Sequence, residues 1–219
     1  MEHKTISLAD QVFDRLENDI LCGIYKRGEL LTENMLVADL KVSRTPVREA
    51  IRRLEQEHLV EATTKGILVL GITQEDLVDI MDLRLKIEGI AAARAAERIT
   101  EEELKELKDA LELQEYYVSK KDAEHIKALD NEFHYLVYRF SGSNIIYDTL
   151  MPLHNKARKY RKASVENESR AHDSVEEHRE IYEAIAARDA ALAEQVTTKH
   201  VQNAKTHILN RSAKKWDLQ

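Results

Sequence analysis

Apolar residues recur at three- and four-residue spacing along most of this chain, the mark of helices that bury one stripe. Ala9, Val12, Phe13, Leu16 and Ile20 keep that spacing up to Gly23, and Ser7 with Asp10 has the form of a capping box at their start. A short helix is predicted from about Thr32 to Leu40, turning Leu36, Val37 and Leu40 inward. Lys41-Val42-Ser43 makes a tight turn, and a third helix runs on to about Glu57. Pro46 suits that helix's first turn, where its missing N–H has no partner to lose. The period then changes. LVEA (59–62) and ILVL (67–70) flank the four-residue loop Thr63-Thr64-Lys65-Gly66 and read as a β-hairpin.

After Gly71 the helical period returns and stays. Thr73 with Asp76, Thr100 with Glu103, and Ser174 with Glu177 are three further capping boxes, marking helices over about 74–98, 101–119 and 174–187. Others are predicted over 122–140, from Gly142-Ser143 to about Glu168, and over 189–211. The chain has only six glycines and two prolines, and most of the glycines precede residue 72, so little interrupts these helices. The predicted fold class is mainly α: a winged helix-turn-helix with a small β-hairpin over 1–72, then an all-α six-helix bundle over 73–219. Cys22 is the only cysteine, which excludes a disulfide framework or a thiolate-rich metal site within one chain. No apolar run approaches 18 residues and MEHKTISLADQ lacks a hydrophobic core segment, so the expectation is a cytoplasmic protein with no membrane span and no secretion signal.

Charge changes the picture in the first domain. The net charge is −7, yet Lys41, Arg44, Arg48, Arg52 and Arg53 face a single acid, Glu49, in thirteen residues. Arg44, Arg48 and Arg52 share one face of the third helix, opposite Val47, Ala50, Ile51 and Leu54. A solvated basic face explains such a stripe when it stands alone. Here it lies on the second helix of a helix-turn-helix with a wing after it, which favours DNA: Arg can bond guanine O6 and N7, and hydroxyls such as those of Ser43 and Thr45 suit phosphates. Leu30, Glu33 and VSRTPVREAIRRLEQEHLVE (42–61) closely resemble the DNA-binding domain of the GntR family of bacterial transcription regulators. The resemblance covers about residues 7–72. It implies major-groove contacts by Arg44, Thr45 and Arg48, and approach of the wing tip, Lys65-Gly66, to the minor groove. Asn34 stands where the family often has arginine, so any contact from the second helix is made by an amide.

Chemistry in the second domain centres on histidine, since seven of the nine lie between His125 and His207. Asp130 and His134 share a helical face with Ile126, Phe133 and Val137; His178 shares one with Ile181 and Ile185, and His200 lies between Val196 and Ala204. One carboxylate and three imidazoles converging in a bundle suit one divalent ion per chain of the zinc, nickel, manganese or iron type, with positions left for water or an organic acid. Taken singly, each histidine also fits a core residue with an internal partner. Arg84 falls among Leu77, Ile80, Met81, Ile87 and Ala91, and needs an anion: an internal Glu or Asp, or the carboxylate of a ligand. DLRLKIEGIAAARAA, DNEFH, EEHREIYEAIAARD and His200 resemble the ligand-binding domain of the FCD (FadR-type) subfamily of GntR regulators, over about 73–211. That resemblance implies metal ligation by Asp130, His134, His178 and His200, with a nearby arginine helping to hold a small carboxylate effector. His125, His154, His172 and His207 match no ligand position and are expected at the surface or behind the ligands, His207 alone bordering the cavity.

Together these patterns predict an effector-responsive homodimeric regulator of a palindromic double-stranded DNA operator, in which ligand binding shifts the spacing or orientation of the two reading helices. A metal-dependent hydrolase or oxygenase leaves the winged helix unexplained and finds no general base beside the ligands; a plain helical interaction module explains neither anomaly.

Overall fold

Ser7 opens the first helix, α1 (Leu8–Leu21), through a reciprocal capping box with Asp10. The computed structural model describes residues 7–157 and 168–216, and the chain divides into two units between Thr73 and Gln74. In the first unit α1 is followed by β1 (Leu30–Leu31), α2 (Glu33–Leu40), α3 (Arg44–Gln56), β2 (Val60–Thr63) and β3 (Gly66–Val69). Thr32 caps α2, whose end is turned by Lys41 in the left-handed region at φ 55°. Val12, Phe13, Leu16 and Ile20 of α1 pack on Val47, Ala50, Ile51 and Leu54 of α3, with Leu36, Leu59, Ile67 and Val69 closing the core.

The wing is a three-stranded antiparallel sheet in the order β1-β3-β2, one strand more than the predicted hairpin. Leu30 pairs with Leu68 and Leu31 with Ile67, a two-residue strand too short to show a period of its own. Thr63 pairs with Gly66, so the loop shrinks from four residues to Thr64-Lys65. Gly66 sits at φ +141°, and a Cβ there would lie 2.6 Å from the Leu31 carbonyl oxygen. Glycine therefore lets β1 and β3 approach.

The second unit is helical throughout its described residues: α4 (Gln74–Arg98), α5 (Glu101–Lys120), α6 (Ala123–Phe140), α7 (Asn144–Lys156), α8 (Glu168–Ala186) and α9 (Ala190–Trp216). Thr100 with Glu103 forms the expected capping box of α5, and Asp122 caps α6. Two expectations are corrected. Ser174 does not start a helix, because Arg170, Ala171 and Val175 are buried and continue the stripe of His178 and Ile181 a full turn earlier. The helix expected to reach Glu168 is α7, which ends at Lys156, and residues 158–167 lie outside the described residues. α4 is the axis of the bundle. Its Ala91, Ala92, Ala95 and Ala96 are fully buried, and at Gly89 a Cβ would meet Thr198 Oγ1 at 2.6 Å and the Glu194 carbonyl at 3.0 Å, so small residues bring α9 close. Ala92 and Ala96 join Leu107, Phe133, Val137, Val175, Ile181 and Ile185 in the main core. Among the described residues no helix is long and apolar enough to cross a membrane.

Replacing Gly66 with alanine should destabilise the winged unit by about 1–3 kcal/mol, through the φ it strains and the carbonyl it meets. Urea denaturation of wild type and variant measures this; an unchanged midpoint would contradict the close-approach argument.

Candidate functional site

The exposed basic face belongs to α3. Arg44, Thr45, Arg48 and Arg52 are exposed while Pro46, Val47, Ala50, Ile51 and Leu54 are buried, as the helical period dictates. Ser43 occupies the N-cap position without making a side-chain capping bond, so the helix leaves its hydroxyl unused. α2 braces two of the arginines. Arg44 Nη2 donates to Asn34 Oδ1 at 3.1 Å, and Arg48 Nε donates to both Glu33 oxygens at 3.0 and 2.9 Å. Such exposed pairs add little stability. Their effect is to preset rotamers, and the bonds to Glu33 are made at Nε, not at the Arg48 Nη donors. Asn34 thus acts on Arg44, and its own NH2 group remains a donor. Arg53, counted in the basic run, turns the other way: it pairs with Asp10 at 2.6 Å and its guanidinium lies 3.9 Å from the centre of the Phe13 ring. At the wing, Thr63 Oγ1 donates to the Gly66 carbonyl at 2.8 Å and accepts from the Lys65 N–H at 3.2 Å, which fixes the turn carrying Lys65.

In the helical unit three of the four expected ligands meet. His134 from α6, His178 from α8 and His200 from α9 are buried, with ligand atoms all within 4.8 Å of one another. Two of the outer nitrogens are held. Gln114 Oε1 of α5 lies 2.9 Å from His178 Nδ1, and Glu177 Oε2 lies 2.6 Å from His200 Nδ1. Both oxygens accept only, so each Nδ1 carries the hydrogen, and in the neutral ring Nε2 then presents its lone pair. His134 Nδ1 is 3.6 Å from Glu88 Oε2, a buried oxygen with no hydrogen bond among the described residues. His200 Nε2 and His134 Nε2 stand 3.3 Å apart. Nitrogens turned toward one another and backed by oxygen acceptors are a donor set that fits a divalent cation. Asp130 lies outside that trio: its Oδ1 is 3.9 Å from His178 Nε2, while its side chain lines the same cavity.

That cavity is narrow, about 30 Å³, and Arg84, Gln114, Asp130, His134, Arg170, Ser174 and His200 border it. Arg84 is buried with Glu88, Nε to Oε1 at 2.5 Å, so the internal acid is its partner here. Burial opposes the Arg84 charge, but Glu88 beside it more than offsets this and the guanidinium holds its proton more tightly than usual. Glu177 is the hub behind His200: Arg170 clamps it at 2.9 and 2.7 Å, and Asn203 donates to it at 2.8 Å. Burial pushes its carboxyl up, yet the bonds from His200 and Arg170 outweigh that and pull it down to about 2.

Several of these residues escape the sequence reading. Glu88 is four residues after Arg84, a spacing that could have named the partner. Gln114 interrupts the apolar stripe of Leu107, Ala110 and Leu111, the same signal that marks the histidines. Glu177 reads in the sequence as part of a cap. His154 takes the second of its two expected places, behind the ligands: it is buried, its ring 5.0 Å from that of His134, with Nδ1 3.3 Å from the Tyr138 hydroxyl and Nε2 3.2 Å from Asn131 Oδ1. His125 is exposed and stacks on Tyr117, and His172 is exposed. His207 borders an outer groove between α8 and α9, with Arg170 and Glu177, rather than the histidine cavity.

Glu177→Gln keeps the shape but strips the nearly buried Arg170 of its counter-charge, at an expected cost of about 3 kcal/mol. Because the folded carboxyl titrates below its usual 4.5, its stabilisation is complete above that pH and disappears as pH falls toward 2. Thermal melts across that range should show the variant losing less stability on acidification than wild type; parallel curves would refute the assignment.

Comparison with known proteins fits both halves. The family model described as bacterial regulatory proteins, gntR family, matches residues 8–69, and the FCD domain model matches residues 79–203. The Nta operon transcriptional regulator of Aminobacter aminovorans is 30% identical over 186 residues, 84% of this chain and 87% of that protein. The HTH-type transcriptional repressor RspR of Escherichia coli is 28% identical over 193 residues, covering 88% and 85%. Among solved structures, a putative GntR regulator from Rhodococcus sp. RHA1 superposes with a TM-score of 0.71 at 26% identity, covering 92% of this chain and 97% of that one. The E. coli protein McbR/YncC shares the fold at a TM-score of 0.80 and 24% identity, over 95% and 100%. The relatives are transcriptional regulators and not enzymes, and with an FCD domain joined to a gntR-type winged helix, this chain belongs to the GntR family of DNA-binding transcriptional regulators.

Proposed function

We propose that this regulator binds a palindromic DNA operator as a homodimer in the cytoplasm, and that a small carboxylate effector at a divalent-metal site in the helical unit modulates that binding. The observation that carries the effector half is the convergence of three buried imidazoles with ligand atoms within 4.8 Å. His134, His178 and His200 would supply nitrogens and Asp130 an oxygen, a set suited to zinc, nickel or manganese. The ion, when bound, supplies a Lewis-acid anchor for a carboxylate. Arg84 lines the same cavity and uses Nε for Glu88 and Nη1 for Met81 Sδ, which leaves Nη2 for a ligand's carboxylate. Gln114 and Glu177 orient two of the imidazoles, and the narrow cavity selects for a short acid. On the DNA side, Arg44, Thr45, Arg48 and Arg52 form the reading face, Ser43 and Asn34 contribute backbone contacts, and Lys65 with Gly66 reaches the minor groove.

Elemental analysis tests the metal. Wild type should carry about one ion per chain after reconstitution, and His178→Ala should lose the ion and the thermal shift given by small organic acids together. Arg84→Ala should keep the ion and lose the acid-induced shift. Negligible metal in reconstituted wild type would end this reading. For DNA, a site selected from a randomised duplex pool should bind Arg48→Ala about 1–3 kcal/mol more weakly, with relaxed preference at one base pair. Unchanged affinity of a variant lacking both Arg44 and Arg48 side chains would overturn the reading face.

A further inference from the structure

Arg48 stands midway between Arg44 and Arg52 on the exposed face of α3, one helical turn from each, so like charges flank it on both sides. Among the described residues it is the one of the three with a carboxylate partner: its Nε donates to both Glu33 oxygens, at 3.0 and 2.9 Å. Arg44 leans instead on the neutral amide of Asn34. The backbones that carry the pair are anchored. Thr32 caps α2 through the Met35 N–H at 3.2 Å, Leu36 one turn after Glu33 is buried, and so is Val47 beside Arg48. The pair itself is open to water, with 61% of the arginine side chain and 37% of the glutamate exposed, so it adds little to stability. A carboxylate on a basic face needs another reason to be there.

We infer that Glu33 is a positioning residue that sets the sequence specificity of DNA binding, by holding the Arg48 guanidinium with its two Nη groups turned to a base edge. The inference rests on the reading face proposed above and adds to it a residue that acts through Arg48. An arginine fork that spans guanine O6 and N7 uses both Nη groups and leaves its Nε edge open to a partner. Glu33 occupies that edge. An arginine free to rotate satisfies itself on any phosphate within reach, whatever the sequence. One held at Nε has lost much of that choice before DNA arrives, so less ordering remains to be done on binding. The charge of the carboxylate acts in the same direction. It repels the phosphates of every duplex alike and offsets the attraction of Arg48 for them, which lowers nonspecific affinity. Specificity is a difference of affinities, so weakening the competitor raises it as surely as strengthening the cognate site. Arg44, braced by an amide, keeps its whole charge for phosphate attraction.

Fluorescence anisotropy of the full chain tests this, with the duplex it selects from a randomised pool, that duplex with each base pair changed in turn, and a duplex of unrelated sequence. Wild type should prefer one base pair through Arg48 by about tenfold or more, a preference that Arg48→Ala abolishes. Glu33→Ala should cut that same preference to about threefold or less and leave those at other base pairs within about twofold. It should also bind the unrelated duplex about threefold more tightly, with a steeper salt dependence. Adding Glu33→Ala to Arg48→Ala should change the remaining base preferences no further. Glu33→Gln, whose carbonyl still accepts from Nε, should restore most of the preference while keeping the tighter nonspecific binding. That combination separates bracing from charge. A loosened α2 would instead lower every base preference together, and the melting temperature with them. Unchanged preference in Glu33→Ala, or an equal loss at every base pair, would overturn the role of Glu33 and leave the reading face standing. Arg48→Ala with every preference intact would overturn the reading face, and this inference with it.

Discussion

Three imidazoles and a guanidinium share the interior of one helical bundle, and none can give up water without a replacement partner. That constraint explains the polar residues around them. Gln114 answers His178, Glu177 answers His200, and Glu88 answers Arg84 from the next turn of the same helix. Arg170 and Asn203 then neutralise and fix Glu177, so the network ends where α8 and α9 border an outer groove. With Nδ1 of His178 and of His200 occupied, their remaining nitrogens turn inward, and His200 Nε2 stands 3.3 Å from His134 Nε2. A site of this kind is rigid because its supports are themselves buried or paired.

Close packing makes the convergence possible. His200 reaches His134 from another helix because α9 lies tight against α4, at Gly89 and beside a run of buried alanines. A larger side chain at Gly89 would drive α9 outward and open the 3.3 Å approach. Small residues here do chemical work through distance, although they carry no chemistry of their own.

The winged unit shows how one basic run can hold two roles. Arg44 and Arg48 stand in water and are braced by Asn34 and Glu33 of α2, whereas Arg53 lies over Phe13 and ties α3 to α1 through Asp10. Helical phase separates them: Arg53 falls toward the α1 side, and the other two fall on the face opposite the core. Counting charges in the run therefore assigns Arg53 to an exposed face that it does not join.

Local rules made much of this protein legible from its sequence. Helical periods placed the stripes of α1, α3, α4 and α6, and capping residues placed Ser7 and Thr100, because side chain and backbone there meet within three residues. The same rule misled at Ser174 and Glu177, whose spacing also occurs inside a helix; only the burial of Arg170 and Ala171 against the bundle decided between cap and interior. The two-residue strand β1, the partners Gln114 and Glu177, and the burial of His154 depended on segments far apart in sequence. Periodicity says which face of a helix turns inward, but not which helix it meets. The sequence alone therefore determined most of the elements, the exposed basic face of α3 and the inward histidines, while the tertiary structure decided which nitrogens meet and what holds each in place, because those contacts are set by packing between helices and not by spacing within one.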